Sequence, residues 1–194
     1  MSTHTDNIFS ASTTEEGATK TKAELDCCFE IKDLGISSVI LGMKISQDPA
    51  TGSILLTQKA YLKRMLEHFG MANSNPKSTP LPPSIDISDD LSLKTKEDRL
   101  FMTNKPYCSV LGGLMWAQVA MCPDLSYAMN TLACFQMNPG PGHWKALMHT
   151  YTYVHGILDY DITYHRGSNK SLKPIDYINA NYGENSGMQH LTLG

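Results

Sequence analysis

Four prolines, Pro76, Pro80, Pro82 and Pro83, and a run of mixed charge occupy residues 72–105 and divide the chain into two separate folding problems. Proline removes a backbone donor and biases its predecessor toward extended backbone, so this stretch reads as a linker or extended strap, not a packed element. Compact structure has to come from what flanks it.

Downstream, three helical patterns follow closely. The first runs from Tyr107 to Met121 with Val110, Leu111, Leu114 and Met115 on one side. Pro123 suits the first turn of the second, Asp124 suits its positive end, and Leu125, Ala128, Met129, Leu132 and Phe135 follow at helical spacing up to Asn138-Pro139-Gly140. The third spans about Gly142 to His155, with Trp144, Leu147, Met148, Tyr151 and Val154 inward. Three amphipathic helices with short connections predict a small bundle. After it, DYDITYH and LKPIDYINANY read as two strands, a hairpin too small to be stable alone.

Upstream, residues 1 to about 20 are rich in Ser, Thr and charge and are expected to be disordered, with a short helix over Lys22–Phe29 and a turn at Lys32-Asp33-Leu34-Gly35. SSVILGMKISQ, DPATG and SILLTQ predict a β-hairpin with a five-residue loop. Thr57 is placed to cap a helix striped by Tyr61, Leu62, Met65, Leu66 and Phe69, and Gly70 suits its left-handed end. Lys59, Lys63 and Arg64 lie on the opposite face.

A formal net charge of −3 argues against a protein whose main task is gripping phosphates. No signal-peptide pattern opens the chain and no apolar run is long enough to cross a bilayer, so an intracellular protein, cytoplasmic or nuclear and not secreted, is expected. The odd count of five cysteines, without framework spacing, fits a reduced setting.

Seven strings in register resemble the reverse transcriptase of copia-type retrotransposons: FEIKDLG (Phe29–Gly35), LGMKI (Leu41–Ile45), LTQKAYLKRMLEHFGM (Leu56–Met71), STPL (Ser78–Leu81), PYCSVLGGLMW (Pro106–Trp116), PDLSYAM (Pro123–Met129) and NPGPGHWKAL (Asn138–Leu147). The resemblance implies an α+β chain with a partial reverse-transcriptase fold. Behind a disordered tail (1–21) would come the end of the palm (22–57), a thumb-like helix (58–71), the linker (72–105) and a three-helix thumb and connection region (106–157). A truncated ribonuclease H-like start (158–194) would close it. The parent activity would be RNA-directed DNA synthesis with ribonuclease H, using Mg. The family's Tyr-x-Asp-Asp string would precede residue 1, so this chain is expected to hold no cofactor and to catalyse neither reaction.

The acidic residues agree with that expectation. Asp89-Asp90 has no preceding aromatic at the matching position and sits in the linker, where a solvated loop is the simpler reading. In DYINANYGEN, Asn179 and Asn181 stand where the family's ribonuclease H aspartates are expected, and a neutral amide lacks the charge to hold two divalent ions. Cys108, Cys122 and Cys134 stand where the family typically has arginine, Ile157 where it has threonine and Asp176 where it has glycine. All are reachable by C-to-T changes, which suggests decay by cytosine deamination; codons requiring other changes would sink that hypothesis. Cys122, Cys134, His143 and His149 match no zinc-binding spacing and read as ordinary helix residues, and the adjacent Cys27-Cys28 as plain thiols.

Lys59 and Lys63, one turn apart, with Arg64, are the candidate nucleic-acid contacts, against the plainer reading of a solvated face. Trp116 and Trp144 are expected to anchor helix packing. Partners would be primer–template nucleic acid, held weakly, or an intact polymerase or other protein, with no membrane. The alternatives are a co-opted interaction module and a translated relic without function.

Overall fold

The computed structural model describes residues 2–4, 7–12, 14–165, 180–182 and 191–193. They fall into two compact units, residues 1–41 and 42–194.

In the first unit, β1 (Ser2–His4) pairs antiparallel with β2 (Asn7–Phe9), and α1 (Glu15–Cys28) follows. The expectation of disorder up to about residue 20 is corrected, since the helix begins well before Lys22. Thr14 caps it, its hydroxyl accepting from the Gly17 N–H at 3.1 Å, and Glu15 and Glu16 sit at the positive end of the helix dipole. These are local terms, and α1 buries no residue. The Lys32–Gly35 turn is present: Asp33 accepts from the Gly35 N–H at 2.9 Å and pairs with Lys22 at 2.8 Å, and Gly35 adopts φ +77°. The Lys22 hydrogen bond holds the Asp33 carboxyl below its ordinary value. The run expected as one strand is broken, because β3 (Val39–Ile40) ends at Leu41, whose φ of +49° turns the chain.

In the second unit, β4 (Met43–Asp48) and β5 (Ser53–Thr57) form the predicted hairpin. Its loop holds four residues, not five, because Asp48 stays in the ladder opposite Ser53 while its carboxylate accepts from the Ala50 N–H and the Thr51 hydroxyl. A third strand, β6 (Ile162–Tyr164), pairs antiparallel with β5, Leu56 opposite Ile162. The expected pairing of this strand with the one that follows it is therefore corrected: residues 162–164 extend the hairpin sheet. The row Ile45–Leu56–Ile162 faces the helices, which explains the pairing, since β5 would otherwise leave Leu56 uncovered on one side. Of the other expected strand, Leu172–Asn179 lie outside the described residues; Ala180–Tyr182 form β7, paired with β8 (Leu191–Leu193).

The helix α2 (Lys59–His68) follows β5 directly. Its N-cap is Gln58, not Thr57, although the Thr57 hydroxyl accepts from the Lys59 N–H at 3.3 Å. Its end is as expected. Gly70 adopts φ +70°, its N–H donates to Glu67 O and the Met71 N–H donates to Leu66 O at 2.7 Å, the paired bonds of a Schellman cap.

The supposed linker is partly packed. A 3-10 turn covers Asp89–Leu91, and α3 (Lys96–Met102) is capped by a Thr95/Asp98 box and buries Met102. The remaining helices are α4 (Tyr107–Ala120), α5 (Ser126–Ala133), entered through a 3-10 turn at Pro123–Leu125, and α6 (Pro141–Gly156). Leu62, Met65 and Leu66 of α2 share one core with Val110, Leu111 and Leu114 of α4, Leu125, Met129 and Leu132, and Leu147, Tyr151 and Val154 of α6. The thumb-like helix and the three-helix cluster, read apart in the sequence, are thus one body. Each fully buried aliphatic side chain contributes about 1.5–3 kcal/mol. Met115 and Trp116 are corrections: 39% and 38% exposed, they lie outside this core.

Proline explains how residues 74–87 pack without forming an element. The strap runs antiparallel to α6, with Ser74 O accepting from His155 Nδ1 at 2.7 Å, the Lys77 N–H donating to Thr152 O at 3.3 Å, and His149 Nε2 3.0 Å from Thr79 O. Prolines reduce the backbone donors that such an extended segment must satisfy. At the far end of α6, Leu91 lies so close to Gly140 that a Cβ there would stand 1.9 Å from the Leu91 carbonyl oxygen. Only glycine fits that crossing.

Candidate nucleic-acid interface

The α2 stripe turns Leu62, Met65 and Leu66 inward and leaves Lys63 and Arg64 exposed, with Lys59 half-buried at the first position. A cation at the positive end of a helix is unfavourable alone. Here Asp159, in the connection between α6 and β6, forms an ion pair with Lys59. The Lys59 hydrogen bond and charge, with Lys63 adding to them, hold the Asp159 carboxyl below its ordinary value. Asp159 therefore pairs with one of the three candidate cations, Lys59, and lies within electrostatic reach of a second, Lys63.

Arg64 lies about 100° around the helix from Lys63, on the other flank of the exposed face. It borders an open depression of about 330 Å³ lined also by Tyr61, Met65, His68 and Phe69. The structure thus keeps Lys59 and Lys63 together and sets Arg64 apart. Asp159, a hundred residues from Lys59, is the functional neighbour that the sequence reading missed, and no local signal pointed to it.

Three tyrosines lock the helices beneath this face. The Tyr61 hydroxyl donates to Gly113 O at 3.0 Å, Tyr151 to Val110 O at 3.0 Å and Tyr107 to Leu132 O at 2.9 Å. Burial pushes all three phenols above their ordinary value. They act as hydrogen-bonded packing residues, each with its polar tip satisfied by the carbonyl of a neighbouring helix. The stripe pattern showed Tyr61 and Tyr151 as apolar and could not show these bonds.

The acidic candidates do not fit a divalent ion. Asp89 and Asp90 are exposed on their 3-10 turn, and Asp90 pairs with Lys94 at 2.9 Å. Among the described residues no three Asp, Glu, His or Cys side chains come together as a metal site. Asn179 lies outside the described residues, and Asn181 is placed only as a backbone position in β7. The four residues weighed as a zinc cluster have separate surroundings. Cys122 is buried, its thiol pushed up to about 11 by burial, whereas Cys134 is exposed and donates to Asn130 O. His149 pairs with the strap, and His143 is buried, stacked on Phe135 with ring centroids 4.3 Å apart. Its Nδ1 accepts from the Gly140 N–H at 3.1 Å and its Nε2 has no partner among the described residues. Burial holds its pKa below the ordinary value, partly offset by the Ser88 backbone and Asp89. Trp144 packs against the core as expected, with Lys105 Nζ 5.4 Å from its ring.

The reverse transcriptase (RNA-dependent DNA polymerase) family model matches residues 1–83, the stretch that contains the hairpin and α2. The retrovirus-related Pol polyprotein of transposon TNT 1-94 from Nicotiana tabacum is 37% identical over 79% of this chain. The chain belongs to the copia-type retrotransposon reverse transcriptases. It corresponds to a segment of such a polyprotein, and the alignment covers 12% of the tobacco protein's own length. The Pol polyprotein of transposon RE2 from Arabidopsis thaliana is 26% identical over 74% of this chain and 9% of its own length. A putative transposon Ty5-1 protein of Saccharomyces cerevisiae is 24% identical over the whole chain, which covers 60% of it. No solved structure matches. The α+β class agrees with the sequence reading, and no helix of the described residues is long and apolar enough to cross a membrane.

Proposed function

We propose that this copia-type segment is the palm-end and thumb portion of a polymerase that acts inside the cell. In this reading it binds the backbone of primer–template nucleic acid through α2 and contributes no catalytic centre of its own. The observation that carries the reading is the pair of exposed cations on the two flanks of the outer face of α2, Lys63 and Arg64, on a helix joined without a loop to β5 inside the stretch matched by the reverse transcriptase family. The parent polyprotein would supply RNA-directed DNA synthesis and its Mg-binding aspartates.

Fluorescence anisotropy with a labelled RNA–DNA primer–template, read over a salt series, tests both halves. Weak binding that falls steeply with salt is expected, because phosphate contacts release counterions. Lys63→Glu with Arg64→Glu should abolish it. Asp159→Asn should strengthen it, since it removes the carboxylate that pairs with Lys59 and lies near Lys63. Binding indifferent to these changes overturns the interface, and template-directed nucleotide incorporation by the purified chain overturns the absence of a catalytic centre.

A further inference from the structure

The outer face of α4 is uncharged. Its sequence, YCSVLGGLMWAQVA, contains no Asp, Glu, Lys or Arg, yet only one side of it enters the core. The other side presents Cys108, Ser109, Gly112, Met115, Trp116 and Val119, all exposed, Val119 by 78%. Helices that are apolar all round are normally covered all round. Gly112 makes the point sharper. In the middle of a 14-residue helix glycine weakens the element relative to alanine, and here a Cβ would meet nothing within 4 Å. Nothing described within this chain explains its small size.

We propose that this face is the interface of a two-fold symmetric dimer in which α4 packs antiparallel against α4 of a second copy. The order of sizes along the face supports that occupant. Small residues, Cys108, Ser109 and Gly112, occupy its N-terminal half, and large ones, Met115, Trp116 and Val119, its C-terminal half. A two-fold axis crossing between Gly112 and Met115 sets Met115 of each copy into the space left at Gly112 of the other, and Val119 against Cys108. A parallel arrangement sets large against large.

The flanking charges agree. Lys105, half-buried with its Nζ over the Phe101 and Trp144 rings, precedes the N-terminus of α4, and the exposed Asp124, one of whose carboxylate oxygens accepts from the Tyr153 hydroxyl, follows its C-terminus. Antiparallel packing brings Lys105 of one copy toward Asp124 of the other at both ends, and opposes the helix dipoles favourably. Parallel packing opposes like to like. Isologous contact demands this self-complementarity, in size and in charge.

Sedimentation analysis of the full chain, reduced because four cysteines are exposed, tests the dimer over a concentration series. A reversible monomer–dimer equilibrium is expected. Gly112→Leu, which fills the hole in a site open enough to accept it, and Val119→Glu should each give a monomer with an unreduced thermal melt. Lys105→Glu or Asp124→Lys alone should weaken the dimer about tenfold, and the two together should restore it to within about threefold of the original. A chain that stays monomeric throughout overturns the proposal and leaves the face to a different partner. A dimer untouched by Gly112→Leu and Val119→Glu overturns it equally.

Discussion

Helices α1 and α4 are each 14 residues long and are made by opposite means. The first has six charged residues and buries none, resting on its Thr14 cap, its two N-terminal glutamates and a Lys20–Glu24 pair 3.9 Å apart. The second has no charge, contains two adjacent glycines of poor helix propensity, and buries Tyr107, Val110, Leu111, Leu114 and Ala117. Local terms of a few tenths to about 1 kcal/mol sustain α1. Burial worth several times as much per residue sustains α4. Propensity can therefore be wrong for a helix that tertiary contacts hold, and it must be right for one that they do not.

That contrast can be broken most forcefully in the core. Leu114→Ala removes a side chain with no exposed surface and should cost about 3 kcal/mol, read as a lowered urea midpoint for unit 42–194. An effect below about 1 kcal/mol would mean that α4 is not held by burial. Gly140→Ala should be nearly as damaging, about 2–3 kcal/mol, because the new methyl group meets the Leu91 backbone instead of a flexible tip. A neutral result would show that the strap does not rest on α6.

A milder test uses pH. Burial lowers the His143 pKa in the folded state, so the unfolded chain binds the proton more readily. Its contribution to stability is full above the ordinary histidine value of about 6.5 and is lost as pH falls from there through the lowered folded value. Denaturant melts at pH 7.5 and 5.5 should differ in that direction, and His143→Phe should shrink the difference. The smallest effect belongs to α1. Thr14→Ala should cost about 1 kcal/mol of local helix stability, seen as faster amide exchange over residues 15–20, with the midpoint of the larger unit unchanged.

The parts legible in the sequence share a property: each is specified within a few neighbouring residues. The Asp33–Gly35 turn, the Gly70 cap and the inward set Leu62, Met65 and Leu66 rest on contacts at most five residues apart along the chain, on one helix face or in one turn. The α1 start at Glu15 is equally local, but its signal is the Thr14 cap and not apolar periodicity, which this polar segment lacks. The order of seven short strings sufficed for the family, since such strings record descent and not packing. The basic face was half legible: the spacing of Lys59 and Lys63 placed them together, but the carboxylate that pairs with Lys59 was not visible.

The amino-acid sequence by itself determined α2, α4, α5 and α6, the hairpin, the Gly70 cap and the family, through periodicity and turn chemistry that act over one or two turns. Only the tertiary structure decided that β6 joins β5, that a proline-rich strap lies along α6, that α2 shares the core of α4–α6, and that Asp159 reaches Lys59. Those contacts join residues about 45 to about 110 positions apart. They depend on which apolar rows and backbone carbonyls remain uncovered once the local elements exist, and no local pattern encodes that.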